Sequence, residues 1–263
     1  MSDTPKDGGM VSSFKRLLGG RRPPIFEFIE QRQMSMVFQP IVNLRTGSIY
    51  AHEALLRSKS PHFANPTEVF HAAFEADCVG VLGRAARQMA VDVCDNWPLF
   101  INLHPKELNE PYVVQPDDPV VMHSHEVHVE ITESVPLSHF DLCNSVLKEI
   151  RGKGAKLAID DLGAGYSNLK YIADLSPEIV KVDRELVKGL TCSGRAFDLV
   201  RHIVNLCHGM GAKVVSEGVE TAEELKASIA AGADFCQGYV LARPAFPPPS
   251  VDWPAIQAML ARV

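Results

Sequence analysis

Short apolar runs of strand length recur along this chain, separated by stretches with helical spacing. The first two, Met36–Leu44 and Ser48–Leu56, are joined only by Arg45-Thr46-Gly47. A turn that short connects antiparallel neighbours. Further on, Leu99–Leu103, Val127–Ile131, Lys156–Ile159, Ile179–Val182, Lys213–Val215 and Phe235–Gln237 have strand character. Helical spacing fills Thr67–Asn96 (long enough for two helices), Ser138–Gly152, Arg195–Gly209 and Thr221–Ala231. Strands separated by helices predict parallel βα units. Two opening strands and six later ones make eight, which predicts an α/β fold of TIM-like (β/α)8 type with the first strand antiparallel. The alternative is an open doubly wound sheet. Against it, no Gly-x-Gly-x-x-Gly opens a helix after the first strand, and polar groups end almost every strand rather than one switch point. Pro244 to Pro249 then breaks the chain, and Asp252 with Pro254 starts a closing helix.

The polar groups at those strand ends are Glu53, Asn102, Glu130, Glu133, Asp160, Asp161, Lys181, Glu217 and Gln237. Strand ends are where a parallel barrel carries its chemistry. Carboxylates joined by an amide suit a hard divalent cation. Each residue also has a plainer reading. Neighbours in a strand face opposite ways, so Asp160 and Asp161 share a site only if the backbone turns there. Gly163 and Gly165 permit a turn, while an Asp in that place is equally suited to cap the next helix. Alternation puts Glu53, Leu55 and Arg57 on one face, which allows a buried ion pair as readily as a ligand. Glu130 ends an apolar strand, where burial is costly without a partner, and Glu133 suits a helix N-terminus. Asn102 in Phe100-Ile101-Asn102-Leu103 needs hydrogen-bond partners. Lys181 lies between two valines and is either salt-bridged or set near phosphate or water. His123, His125 and His128 fit no zinc spacing and precede a strand, so they read as a solvated edge.

Composition narrows the picture. At 263 residues and 46% apolar content, the chain suits one barrel-sized domain. A net charge of −6 with pI near 5.9 argues against a general DNA or RNA binder. The cysteines (78, 94, 143, 192, 207 and 236) are scattered without a CxxC pair, which points to a reducing, cytoplasmic setting. No apolar run is long enough to span a membrane. Residues 1–24 carry Lys6, Lys15, Arg16, Arg21 and Arg22 among Gly, Ser and Pro. They read as a flexible basic tail, or as a short amphipathic segment from Met10 to Leu18 for a partner or an anionic surface. The folded domain is then 25–263.

Taken together, these residues resemble the EAL domain family of bacterial phosphodiesterases that open cyclic di-GMP. The likeness rests on Phe38-Gln39-Pro40-Ile41-Val42, Glu53-Ala54-Leu55-Leu56-Arg57, Asn102 and Glu130-Ile-Thr-Glu133. It continues through Asp160-Asp161-Leu-Gly-Ala-Gly-Tyr-Ser167, Lys181-Val-Asp183, Glu217-Gly-Val-Glu220 and Gln237-Gly238-Tyr239. Leu162, Ala164 and Asn168 stand where the family usually has Phe, Thr and Ser. The resemblance implies a barrel with a reversed first strand, and two Mg²⁺ or Mn²⁺ ions. Glu53, Asn102, Glu130 and Asp160 would hold one ion; Asp160, Asp161 and Glu217 would hold the other, in part through water. Two ions held ~4 Å apart activate a shared water for in-line attack on phosphorus, giving linear 5'-pGpG. Lys181 would orient that water, Arg57 would grip a phosphate and Glu133 would brace the loop after Asp161. Glu220, Gln237 and Gln39 would contact the substrate. A homodimer is implied too, and the lack of a fused sensor leaves room for a regulatory protein partner. The alternative is a catalytically quiet receptor that binds cyclic di-GMP and signals through a partner.

Overall fold

The computed structural model describes residues 22–109, 113, 115–132, 140–164 and 169–263. Eight strands close into one barrel in sequence order: β1 (Met34–Asn43), β2 (Ile49–Ser58), β3 (Leu99–Asn102), β4 (Val127–Thr132), β5 (Lys156–Leu162), β6 (Ile179–Val182), β7 (Lys213–Ser216) and β8 (Phe235–Cys236). β1 is antiparallel to both β2 and β8, and every other pairing is parallel. The short Arg45–Gly47 turn forces that reversal, with Gly47 in the left-handed region at φ 73°. The barrel with a reversed first strand is therefore the observed fold.

Helices ring the barrel and cover its outer face. The stretch Thr67–Asn96 divides into Pro66–Glu75 and Val79–Val93, with Asp77 at φ 51° between them. Arg195–Gly209 forms as expected, and Ala222–Ala231 starts with a capping box between Thr221 and Glu224. The Ser138–Gly152 stretch is helical over Phe140–Gly152, and its first residues lie outside the described ones. Short helical elements also form where the sequence pattern predicts none, at Pro105–Asn109, Pro119–Met122, Leu169–Leu175 and Arg184–Val187, and one precedes the barrel. Pro24–Glu30 is a helix that buries Ile25 and Phe28, the latter with its ring 5.5 Å from Phe63. Most of the 1–24 segment lies outside the described residues.

The apolar interior has two parts. A large cluster packs between sheet and helices, while Ile41, Ala51, Phe100, Ala158, Ile179, Val215 and Phe235 form a separate plug inside the barrel. His128 completes the plug: it is fully buried and stacked on Phe100 with 4.1 Å between ring centroids. The solvated-edge reading of the three histidines is thus corrected. Only His125 is exposed; His123 is half-buried with Nε2 2.8 Å from the Trp97 carbonyl. Alternation explains His128, because two residues before the inward Glu130 the side chain also points inward. Tyr50 closes the lower end, stacking on Phe235 at 4.3 Å and donating its hydroxyl to Glu126 at 3.0 Å.

Candidate active site

The plug and the site are made by the same strands. Two residues beyond Ala51, Phe100, His128, Ala158, Ile179, Val215 and Phe235 come Glu53, Asn102, Glu130, Asp160, Lys181, Glu217 and Gln237. On the reversed β1 the step runs the other way, from Ile41 to Gln39. Period-two alternation therefore lifts one layer of polar groups onto an apolar floor. Above that floor opens a cavity of about 270 Å³, lined by Gln39, Glu53, Asp160, Asp161, Lys181, Glu217, Glu220 and Gln237 among others.

Asp160 and Asp161 share the cavity because β5 is irregular there. Pairing runs Ile159 to Val180 and then Leu162 to Val182, so β5 uses one residue more than β6 over the same span. That is a bulge. Its cause is visible in the backbone: Asp161 lies at φ 60°, a left-handed conformation that costs a non-glycine residue energy. The Asp160 carboxylate accepts the Asp161 N–H at 3.0 Å and holds the kink. Gly163 follows at φ 107°, where a Cβ would strike Leu186. Asp183, just past the end of β6, caps the helix Arg184–Val187 by accepting the Glu185 N–H.

Electrostatics centre on Lys181. Its Nζ lies 2.5 Å from Glu130, 2.6 Å from Glu217, 3.2 Å from Asp160 and 3.6 Å from Glu53. Burial works against its charge, but Asp160, Glu130, Glu217 and Glu53 outweigh burial and hold the ammonium protonated. Lys181 is a cation here, not a base. Burial, aided by Glu53 and Asp160, pushes the Glu130 carboxyl well up despite Lys181. Burial and then Asp160 do the same to Glu217. Asp161 is pushed up to about 6, first by burial and then by Asp160 and Asp183. One ammonium faces the five carboxylates of Glu53, Glu130, Asp160, Asp161 and Glu217, so the site is short of positive charge.

That imbalance fits a divalent cation. Asp160, Asp161 and Glu217 can each offer an oxygen, all within 4.8 Å of one another. Gln237 Oε1 is buried with no hydrogen-bond donor among the described residues, a cost that a cation or its water would remove. Asn102 turns its amide nitrogen to Glu53 Oε1 at 3.3 Å and Glu130 Oε2 at 3.1 Å. Gln237 donates to Glu53 Oε2 at 2.5 Å and to Gln39 Oε1 at 3.2 Å. Every oxygen in the set is hard, as Mg²⁺ or Mn²⁺ requires.

The remaining predicted residues are less central. Glu220 lines the cavity rim but is paired with Arg184 at 3.0 Å. Arg57 forms no ion pair with Glu53; its guanidinium turns back to the Leu56 carbonyl at 2.9 Å. Glu133 lies outside the described residues. The lining also includes Arg184, which the sequence reading did not name, and Tyr239, which it named only within Gln237-Gly238-Tyr239; Arg243 lies 4.1 Å over the Tyr239 ring. Gly218, at φ 60°, carries the stem of Arg184, since a Cβ there would lie 2.5 Å from Arg184 Cγ. That close approach was the available signal for Arg184, and it is spatial rather than sequential.

The closed barrel thus carries, in the carboxylate-rich layer at its strand ends, a candidate divalent-cation site. The family model for the EAL domain matches residues 25–244, and the chain belongs to that family. A relative from Pseudomonas aeruginosa, named cyclic di-GMP phosphodiesterase PA2567, is 30% identical over 83% of this chain and 39% of its own length. An uncharacterized protein, y4lL of Sinorhizobium fredii, is 32% identical over 86% of this chain and 28% of its own. The chain thus spans well under half of these curated relatives. Among solved structures, the manganese and cyclic di-GMP complex of Klebsiella pneumoniae BlrP1 superposes with TM-score 0.71 at 32% identity, covering 81% of this chain and 56% of that one. A cyclic di-GMP complex of the PaMucR phosphodiesterase gives TM-score 0.72 at 27% identity, covering 84% and 96%. No helix among the described residues is long and apolar enough to cross a membrane.

Proposed function

We propose that this chain hydrolyses cyclic di-GMP to linear 5'-pGpG. The observation that carries the reading is the layer of five carboxylates around Lys181 on the strand ends of an EAL barrel. Glu53, Asn102, Glu130 and Asp160 would hold one Mg²⁺ or Mn²⁺, and Asp160, Asp161 and Glu217 the other. When bound, two such ions neutralise phosphoryl charge and bring a water's pKa towards neutrality. The chain's own residues do the rest. Lys181 keeps its proton, holds Glu130 and Glu217 in place and positions the attacking water. The water gives up a proton to solvent as its oxygen joins phosphorus, the P–O3' bond breaks, and the leaving 3'-oxygen takes up a proton from solvent, which opens one of the two phosphodiesters. Gln39, Gln237 and Glu220 contact the dinucleotide, Arg57 takes a phosphate and Glu133 braces the loop beyond Asp161. The Phe100–His128 floor keeps water from the underside of the site. The same reading assigns 25–263 as the catalytic domain of a cytoplasmic homodimer, with the basic segment before it left for a regulatory partner.

Purified protein incubated with cyclic di-GMP and Mg²⁺ should yield pGpG on chromatography, and EDTA should stop it. Glu53→Ala should abolish turnover with an unchanged circular dichroism spectrum. Full activity in that variant would sink the ligand assignment. Tight binding of cyclic di-GMP without conversion by the natural chain would instead indicate a receptor.

A further inference from the structure

The largest fully buried side chain among the described residues is a charged one that the proposed chemistry does not use: Arg87, inside the helix Val79–Val93. Arg87 is 1% exposed, and its guanidinium bridges two carboxylates as buried as itself. Nη1 donates to Glu107 Oε2 at 2.5 Å, while Nε and Nη2 grip Asp118 in a fork at 3.3 and 3.0 Å. Glu107 stands near the start of the β3–β4 crossover and Asp118 in its second half. The other Glu107 oxygen accepts the His104 N–H at 3.0 Å, just two residues after Asn102. Asp118 caps the short helix Pro119–Met122 by accepting the Val120 N–H at 3.0 Å. The fit is close: a Cβ on Gly83 would lie 2.1 Å from Glu107 Oε2.

A buried Arg with two carboxylates is a poor device for stability alone, since its desolvation cost offsets much of the pairing energy. Its position explains it better. Asn102 is the last residue of the four-residue strand β3 and, unlike Glu130 or Lys181, is exposed. On its N-terminal side it is fixed by the ladder to β4; on its C-terminal side Leu103 bonds the Glu130 carbonyl and His104 bonds Glu107. We infer that Arg87 is a positioning residue: through Glu107 it anchors the backbone beyond Asn102 and so sets the Asn102 carboxamide for cation binding. The inference rests on the proposed role of Asn102 as a metal ligand.

Calorimetric titration of the folded protein with Mn²⁺ alone tests it. Partners that orient a ligand typically contribute a factor of about 10–100 in metal affinity. Arg87→Met should weaken Mn²⁺ binding by about that factor. Val200→Ala, in a buried position on the distant helix Arg195–Gly209, should lower the melting temperature and leave affinity unchanged. If Arg87→Met does not fold, Arg87→Lys decides, because an ammonium keeps the charge but cannot fork both carboxylates. The same weakening is expected there. Asn102→Ala separates the two ideas. Weak binding in Asn102→Ala with natural affinity in a folded Arg87 variant overturns the positioning role. Natural affinity in both overturns the ligand assignment, and the positioning role with it.

Discussion

Lys181→Met removes the buried cation at the centre of a cluster of carboxylates while nearly keeping the volume of the side chain. Four carboxylate oxygens lie within 3.6 Å of Nζ in the natural protein. Breaking a buried pair by deleting one partner costs about 3–5 kcal/mol. At about 2–4 °C per kcal/mol for a domain of this size, melting in EDTA should fall by about 6–20 °C. The loss should depend on pH with a definite sign. Without the ammonium, Glu130 and Glu217, already pushed up by burial, stay protonated in the fold to still higher pH. The native state then binds more protons than the unfolded chain, so stability falls as pH rises. The gap should be widest near pH 8 and narrow near pH 5. Excess Mg²⁺ should recover more stability in the variant than in the natural protein, because no ammonium competes for the same carboxylates. A saturating ligand at 100 times its Kd contributes about 2.7 kcal/mol, enough to read by scanning fluorimetry. Equal melting of the two proteins in EDTA at pH 8 would refute this account of the site. So would a Mg²⁺ response no larger in the variant.

Burial pulls His128 down to about 4 despite Glu126, so the folded ring is neutral where the unfolded one, near 6.5, begins to charge. Its contribution is complete above pH 6.5 and is lost as pH falls towards 4, by about 3 kcal/mol at most. Urea titrations should show a shallower acid decline in His128→Phe; parallel declines would count against the buried-ring argument. Asp161→Gly should raise the melting temperature, relieving a left-handed non-glycine residue, yet lose hydrolysis. A variant that is both active and stabilised would remove Asp161 from the site. Ca²⁺ should bind without supporting turnover, because it accepts looser geometry than Mg²⁺; equal rates with both ions would oppose a strict two-ion site.

What the sequence made legible, and what it hid, follows from range. A charged residue that ends an apolar strand announces itself, because burial there demands a partner. Glu53, Glu130, Asp160, Lys181 and Glu217 were readable for that reason, and the structure brings all five together. The barrel was readable because a three-residue turn cannot join parallel strands. Strand alternation reaches beyond the acidic positions, and there it holds for one residue and fails for another. It would have placed His128 inside with Glu130, and it placed Arg57 inside with Glu53, although a long side chain at a strand end can fold back to its own backbone. The β5 strand continues to Leu162, past the expected end at Ile159. The bulge lets the two aspartates interrupt the pairing without ending it.

Arg87 marks the limit of local reading. An arginine one turn after Arg84 and next to Gln88 looks like a solvated charge, and Glu107 and Asp118 look like turn residues. Only the fold brings the three within hydrogen-bond reach. The contrast with Lys181 is instructive, for both are buried cations facing an excess of carboxylate. Around Lys181 the surplus opens onto a cavity and is free to recruit a metal ion. Around Arg87 the carboxylates are consumed: Glu107 by His104 and Asp118 by Val120. Two networks of similar composition thus have opposite uses. What separates them is the number of lone pairs still unfilled when the chain has finished folding.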